Sequence, residues 1–159
     1  LTKAAGLDLL RQVSVITPGV LGQTGIEAGE LIKAAAEKIK PAAVIVIDAL
    51  AAQSGDRLFK TVQLCDTGIS PGSGVKNNRG EISEKTVGVP VIAIGVPTVI
   101  DADTLSERLT GISPEKKSEM FVTPKDVDML TQRLAKLLAG AINMFLQPET
   151  DPEIISALV

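Results

Sequence analysis

Residues 41–48 read Pro41-Ala42-Ala43-Val44-Ile45-Val46-Ile47-Asp48. Two alanines lead into four consecutive β-branched residues, with no polar alternation before Asp48. A run of that kind fits a strand covered on both faces, as in a parallel sheet. The preceding stretch has a different period. Between Ile26 and Lys40, the apolar Ala28, Leu31, Ile32, Ala35 and Ile39 recur at helical spacing, and Glu27, Glu30, Lys33, Glu37 and Lys38 fall mostly on the other side. Pro41, which has no N–H to donate, stops that helix. A helix running straight into a buried strand predicts α/β layering.

Working outward, Gln12-Val13-Ser14-Val15-Ile16 alternates and predicts a short strand ended by Thr17-Pro18-Gly19. Further strands are expected over Thr61–Cys65, ending at Asp66, and over Pro90–Ile94, ending at Gly95. The first buried strand is expected to end at Asp48. Gly68 to Gly74 is a loop by composition, and residues 103–120, rich in charge and Ser, read as a surface excursion. A last helix is expected to start at Thr123-Pro124, with Asp126 in its first turn. Val127, Leu130, Leu134, Leu137, Leu138, Ala141, Ile142 and Phe145 form its apolar stripe, and Gln147-Pro148 end it. No linker interrupts the pattern. The expectation is a single α/β domain over 1–159, a mostly parallel central sheet flanked by helices.

Composition narrows the chemistry. The 159 residues are 45% hydrophobic and 22% charged, enough apolar material for a sizeable core. Sixteen Lys and Arg against 19 Asp and Glu give a formal charge of -3, so no basic field draws nucleic acid directly. Aromatics are 2%, which argues against base-stacking platforms. There is no histidine, which removes His-dependent triads, dyads and metal sites from this chain. Neither a metal nor a cofactor is expected. Cys65 has no partner for an internal disulfide; it suits a reducing compartment and reads as a small core residue, with a reactive thiol as the alternative. The uncharged run Val87 to Ile100 is short and holds Pro90 and Pro97, so no membrane span is expected. Met120, Met129 and Met144 read as packing residues.

The carboxylates are the chemical signal. Asp48 and Asp66 each follow an apolar strand run, and Asp101 and Asp103 follow the third. Ligands of open α/β sheets bind outside the carboxyl ends of strands. Two carboxylates facing one crevice would share a proton, one serving as base toward water and the other as acid. The plainer alternative is that each Asp caps the next turn. Pro18-Gly19-Val20-Leu21-Gly22-Gln23-Thr24-Gly25 lies between an expected strand and helix. It could hold an anion, form a tight turn or receive an extended peptide, but it lacks the Lys-Ser/Thr of a P-loop. The Gly68–Gly74 loop has the same alternatives. Lys76 and Arg79 beside it could meet an acidic substrate side chain or simply face solvent.

Four blocks then resemble signatures of the spore germination proteases: Ile16-Thr17-Pro18-Gly19-Val20-Leu21-Gly22-Gln23-Thr24-Gly25-Ile26-Glu27, Val46-Ile47-Asp48-Ala49-Leu50-Ala51-Ala52, Asp66-Thr67-Gly68-Ile69-Ser70-Pro71-Gly72-Ser73-Gly74-Val75, and Gly88 through Val99. Met120-Phe121-Val122-Thr123-Pro124-Lys125 extends the match. The resemblance implies a fold like that of the hydrogenase maturation proteases. It implies an atypical aspartic endopeptidase, made as a zymogen, that degrades small acid-soluble spore proteins during germination. It further implies a homotetramer in the cytoplasm of the spore core, with neither membrane nor direct nucleic-acid partner. Asp48 falls on one of the family's two catalytic aspartates. The substrate groove would include Gly19, Gly22, Gln23, Thr24, Gly25, Asp66, Thr67, Gly68, Ser70 and Gly72. The family's other aspartate lies in a Thr-Pro-Asp-Ala-Leu-Gly-Pro motif that this sequence does not contain, and Gln53 stands where the family commonly has Arg. The chain, which opens on Leu1, therefore reads as a C-terminal portion with half the pair. The alternative is an inactive fragment or homologue that binds peptide or subunits without cleavage.

Overall fold

The computed structural model describes residues 10–73 and 79–157. Lys76 and Gly74, singled out above, lie outside the described residues. The chain divides into two compact units, Ile16–Lys125 and Leu1–Val15 with Asp126–Val159, which are taken separately.

The larger unit contains α1 (Leu21–Thr24), α2 (Ala28–Ile39), β1 (Val44–Ala52), β2 (Gln63–Cys65), α3 (Glu84–Val87), β3 (Val91–Asp101), α4 (Ala102–Thr110) and β4 (Phe121–Val122). β3 is central. It runs parallel to β1 along the whole of that strand, antiparallel to β2, and antiparallel to β4 at its far end. The architecture is α/β, with a parallel long pairing and two short antiparallel strands. Helix α2 forms where the apolar period places it. Lys40 takes a left-handed φ of 54° and closes it by donating its N–H to the Ala36 carbonyl at 2.8 Å. Ala36 joins Val46, Ile82, Val87 and Val91 in the core, with Ile32, Val44, Ile69 and Val89 packed around them.

Three strand expectations need correction. β1 continues through Asp48 to Ala52, and β3 through Gly95 to Asp101. Ala49-Leu50-Ala51-Ala52 has little strand propensity of its own, but pairing with β3 recruits it, as tertiary context commonly does. Pro97 lies inside the central strand because the ladder shifts between Leu50 and Ala51: Leu50 pairs with Pro97, Ala51 with Val99. The extra residue, Thr98, makes a bulge, the usual setting for a strand proline. The freed carbonyls are used: Phe59 N–H donates to Pro97 at 2.8 Å and Thr123 Oγ1 to Thr98 at 2.9 Å. The third correction is Gln12–Ile16, which is exposed and forms no strand. Alternation fixes facing only when a partner strand exists, and none pairs there among the described residues.

The surface excursion also holds a helix. Asp101 ends β3 and caps α4, its Oδ1 accepting from Thr104 N–H at 2.9 Å and Thr104 Oγ1 at 3.1 Å. The turn-capping alternative is therefore the one realised at Asp101. Asp101→Ala is expected to cost about 1 kcal/mol of stability, the ordinary worth of an N-cap, read as a shift in the urea midpoint at unchanged slope.

In the smaller unit, α5 (Val127–Leu146) and α6 (Pro152–Ala157) form. α5 starts later than Thr123-Pro124 suggests, because the Thr123 hydroxyl is engaged with Thr98 rather than free to cap. Its stripe is only partly covered: Leu130, Leu134, Leu138 and Ile142 are half-buried, while Leu137 and Phe145 are exposed. The Gln147 side chain accepts from Arg11 N–H at 2.7 Å and donates to the Arg11 carbonyl at 2.9 Å, satisfying the backbone of a segment without a strand partner.

Candidate active site

Because β1 and β2 flank β3, register decides what stands together. Asp48 pairs with Gly95, and Gly95 with Gln63 on the other side. Val46, Ala93 and Cys65 form the neighbouring row on the same face. Leu50, two residues beyond Asp48, shares that face. Over it lies a cavity of about 170 Å³ lined by Leu50, Gln63, Cys65, Gly68, Ile69, Ala93 and Gly95. Asp48 stands beside it, next to the Gly95 floor. The floor is low because the central strand offers only Ala93 and Gly95. A Cβ on Gly95 would lie 2.8 Å from Leu50 Cγ, so the glycine answers to close packing.

The wall opposite β3 is a hairpin. Ile69 and Ile82 exchange backbone hydrogen bonds of 2.9 and 2.8 Å. Gly68, with φ of 98°, presses so closely on the Ile82–Ser83 backbone that a Cβ there would sit 2.8 Å from Ser83 Cα. The same hairpin carries Arg79, whose N–H donates to the Pro71 carbonyl at 3.2 Å.

Asp48 is half-buried. Burial pushes its carboxyl above the ordinary 3.8, opposed by the Ala49 backbone N–H and the Arg79 charge. A carboxyl poised by such opposing influences beside a cavity is suited to proton transfer.

The other carboxylates are elsewhere. β2 is antiparallel, so Asp66 lies beyond the opposite end of the ladder from the carboxyl end of β1. Two strand spacings and three residues of rise separate it from Asp48, roughly 14 Å between Cα atoms. The strands carrying Asp48 and Asp66 are not neighbours but flank β3, so the two carboxylates do not face one crevice. Asp101 is spent on its cap, and Asp103 accepts from Ser118 N–H at 3.0 and 3.2 Å. Among the groove candidates, Gly68 lines the cavity. Asp66 and Thr67 are exposed, and Ser70 and Gly72 are half-buried in the turn that follows. Gly19, Gly22, Gln23, Thr24 and Gly25 are exposed around the single turn α1 and do not line this cavity. Gln53 is exposed just past β1. Among the described residues, no three His, Cys, Asp or Glu are grouped to hold a metal, and no helix is long and apolar enough to cross a membrane. A larger open cleft of about 550 Å³ lies against α2 and α3, but Glu37 is the one acid among its lining residues, alongside Lys33, Lys40 and Lys85.

Sequence reasoning missed Gln63, Cys65 and Gly95 as neighbours of Asp48. Gly95, a lone glycine inside an apolar strand, carried the available signal. Cys65 is no core residue. It is exposed on β2, with Sγ 2.9 Å from Thr67 Oγ1. The Thr67 side chain and backbone pull its thiol below the ordinary 9.0. Alkylation by iodoacetamide is expected to show a pH midpoint below that value, and Thr67→Val to move the midpoint upward. An unchanged midpoint in the variant would remove Thr67 as the cause.

Fold and site together define an α/β protein with a half-buried aspartate beside a cavity on one face of its sheet. The model of the germination protease family matches residues 6–113, and the chain belongs to that family. It is 42% identical over 184 residues to a germination protease of Clostridium acetobutylicum, covering 94% of this chain and 56% of the relative. It is 42% identical over 182 residues to one from Clostridium tetani, with 93% and 56% covered, and 59% identical over 96 residues to one from Oceanobacillus iheyensis, with 60% and 26% covered. The chain thus spans about half the length of the clostridial relatives it matches. Those two alignments run longer than the 159 residues of this chain, so the relatives carry residues within the matched region that it lacks.

Proposed function

We propose that this chain forms the larger part of an aspartic endopeptidase that degrades small acid-soluble spore proteins during germination, with Asp48 as one of two reacting carboxylates. The observation that carries this reading is Asp48 itself: a half-buried carboxyl raised by burial, beside the cavity floored by Gly95, in a chain of the germination protease family. In the reaction, one carboxylate takes a proton from water as its oxygen attacks the scissile carbonyl, and the other gives a proton to the leaving amine. The second carboxylate is supplied by a segment upstream of the matched region, since Asp66, Asp101 and Asp103 are placed or engaged elsewhere. The low floor over Ala93 and Gly95 accommodates an extended substrate. The active form is a homo-oligomer, a tetramer by resemblance, matured from a zymogen in the spore core.

The second reading is a binding domain without cleavage. It is favoured by the placement of Asp66 beyond the opposite end of the ladder and by the engagement of Asp101 in capping α4. A cleavage assay on a small acid-soluble spore protein separates the two. The 159-residue chain is compared with the same chain joined to the upstream half of the Clostridium acetobutylicum relative. Cleavage only by the joined form is expected. Cleavage by the 159-residue chain overturns the divided pair, and binding without cleavage by both supports the second reading.

A further inference from the structure

We propose that Arg79 is a positioning residue for Asp48: carried on the Ile69–Ile82 hairpin, its guanidinium faces that carboxylate and keeps it as the ionised, water-activating member of the pair. The inference rests on the reading of Asp48 as a reacting carboxylate. Its geometry is independent of the family match. Ile82 packs in one core cluster with Val46, two residues before Asp48 and on the same face of β1, so the hairpin sits over the Asp48 face. Arg79 lies three residues before Ile82, tied to the other arm through Pro71. It is half-buried, and its Nε is buried with no hydrogen-bond partner. A buried Nε without a hydrogen-bond partner is costly, and the charge of a facing carboxylate offsets that cost.

Among the described residues, Arg79 is the cation whose charge acts on Asp48. Gly95 opposite it and Gln63 beyond are uncharged. The Cys65 thiol, on the adjacent row, is the other titratable group on the cavity wall, and its ionisation would oppose that of Asp48. Lys33 and Glu37 of α2 line the other cleft, with Ala36, Val87 and Val89. The pull of Arg79 on Asp48 runs opposite to that of burial, which is the direction required of a group that holds the carboxylate ionised.

The test needs no catalysis, so it stands or falls apart from the peptidase reading. The side-chain carboxyl ¹³C resonance of Asp48, assigned by its loss in Asp48→Asn, is followed by pH titration of the 159-residue chain. In Arg79→Gln, the Asp48 midpoint is expected to move upward by more than any other resolved Asp. In Arg79→Lys it is expected to stay near that of the unaltered chain. An unmoved midpoint in Arg79→Gln, or equal movement in both variants, overturns the proposal. Should Arg79→Gln fail to fold, a NaCl series on the unaltered chain reads the same pairing. Screening of a facing cation raises the Asp48 midpoint, and a midpoint that stays or falls overturns it.

Discussion

Asp48→Asn, in the chain joined to an upstream half, is expected to cleave substrate about 10²–10⁴-fold more slowly, a loss of about 3–5 kcal/mol of transition-state stabilisation. Asparagine nearly preserves the volume and can still accept a hydrogen bond from backbone N–H, but it can neither take a proton from water nor return one. The same substitution should leave folding intact or improve it, and the sign follows from burial. The Asp48 carboxyl has a folded pKa above the ordinary 3.8 of an unfolded chain. The folded state therefore binds this proton more tightly. The resulting stabilisation is fully present below 3.8 and is lost as pH rises through the folded value. At neutral pH the ionised carboxylate works against folding, and Asn removes that opposition. Activity and stability should therefore part: cleavage collapses while the thermal midpoint at pH 7 holds or rises. Below pH 3.8 the stability of the two chains should converge. A chain that loses both in proportion would make Asp48 a structural residue, and one that still cleaves would remove it from the reaction.

The parts of the fold legible in the sequence are those decided by local period. α2 and the first half of β1 stand where the apolar spacing puts them, because a 3.6-residue stripe and a β-branched run each have one low-energy way to bury themselves. The parts that were not legible depend on partners distant in sequence. Ala49–Ala52 becomes strand only through β3, and Pro97 is tolerated only because the bulge at Thr98 absorbs it. The antiparallel sense of β2 cannot be read from Gln63-Leu64-Cys65, yet it moves Asp66 to the wrong end of the sheet and exposes Cys65. Asp48 was singled out for following an apolar run. It is instead a mid-strand carboxylate, half-buried, where register places it beside Gly95. Arg79 lay outside the reach of periodicity, because only the closure of Ile69 on Ile82 brings its segment over β1.

Gly68→Ala should be among the most damaging single substitutions to the stability of this site, because two independent costs meet there. Gly68 holds φ of 98°, where an L side chain is strained by about 1–3 kcal/mol. The added Cβ would also meet backbone rather than a flexible side-chain end, 2.8 Å from Ser83 Cα, and overpacking of that kind costs about 1–3 kcal/mol. A combined loss of about 2–6 kcal/mol is a large share of the roughly 5–15 kcal/mol that holds a domain folded. Gly88→Ala separates the two costs. Gly88 has φ of 86° but nothing within 4 Å of its would-be Cβ, so only the backbone penalty applies. Urea unfolding should therefore rank Gly68→Ala well below Gly88→Ala in midpoint. Amide exchange should place the extra damage at Ile69 and Ile82, whose mutual hydrogen bonds close the hairpin over Asp48. If Ala at the two positions costs the same, the hairpin does not press on Gly68. The cavity wall would then be loose where the site requires it to be held.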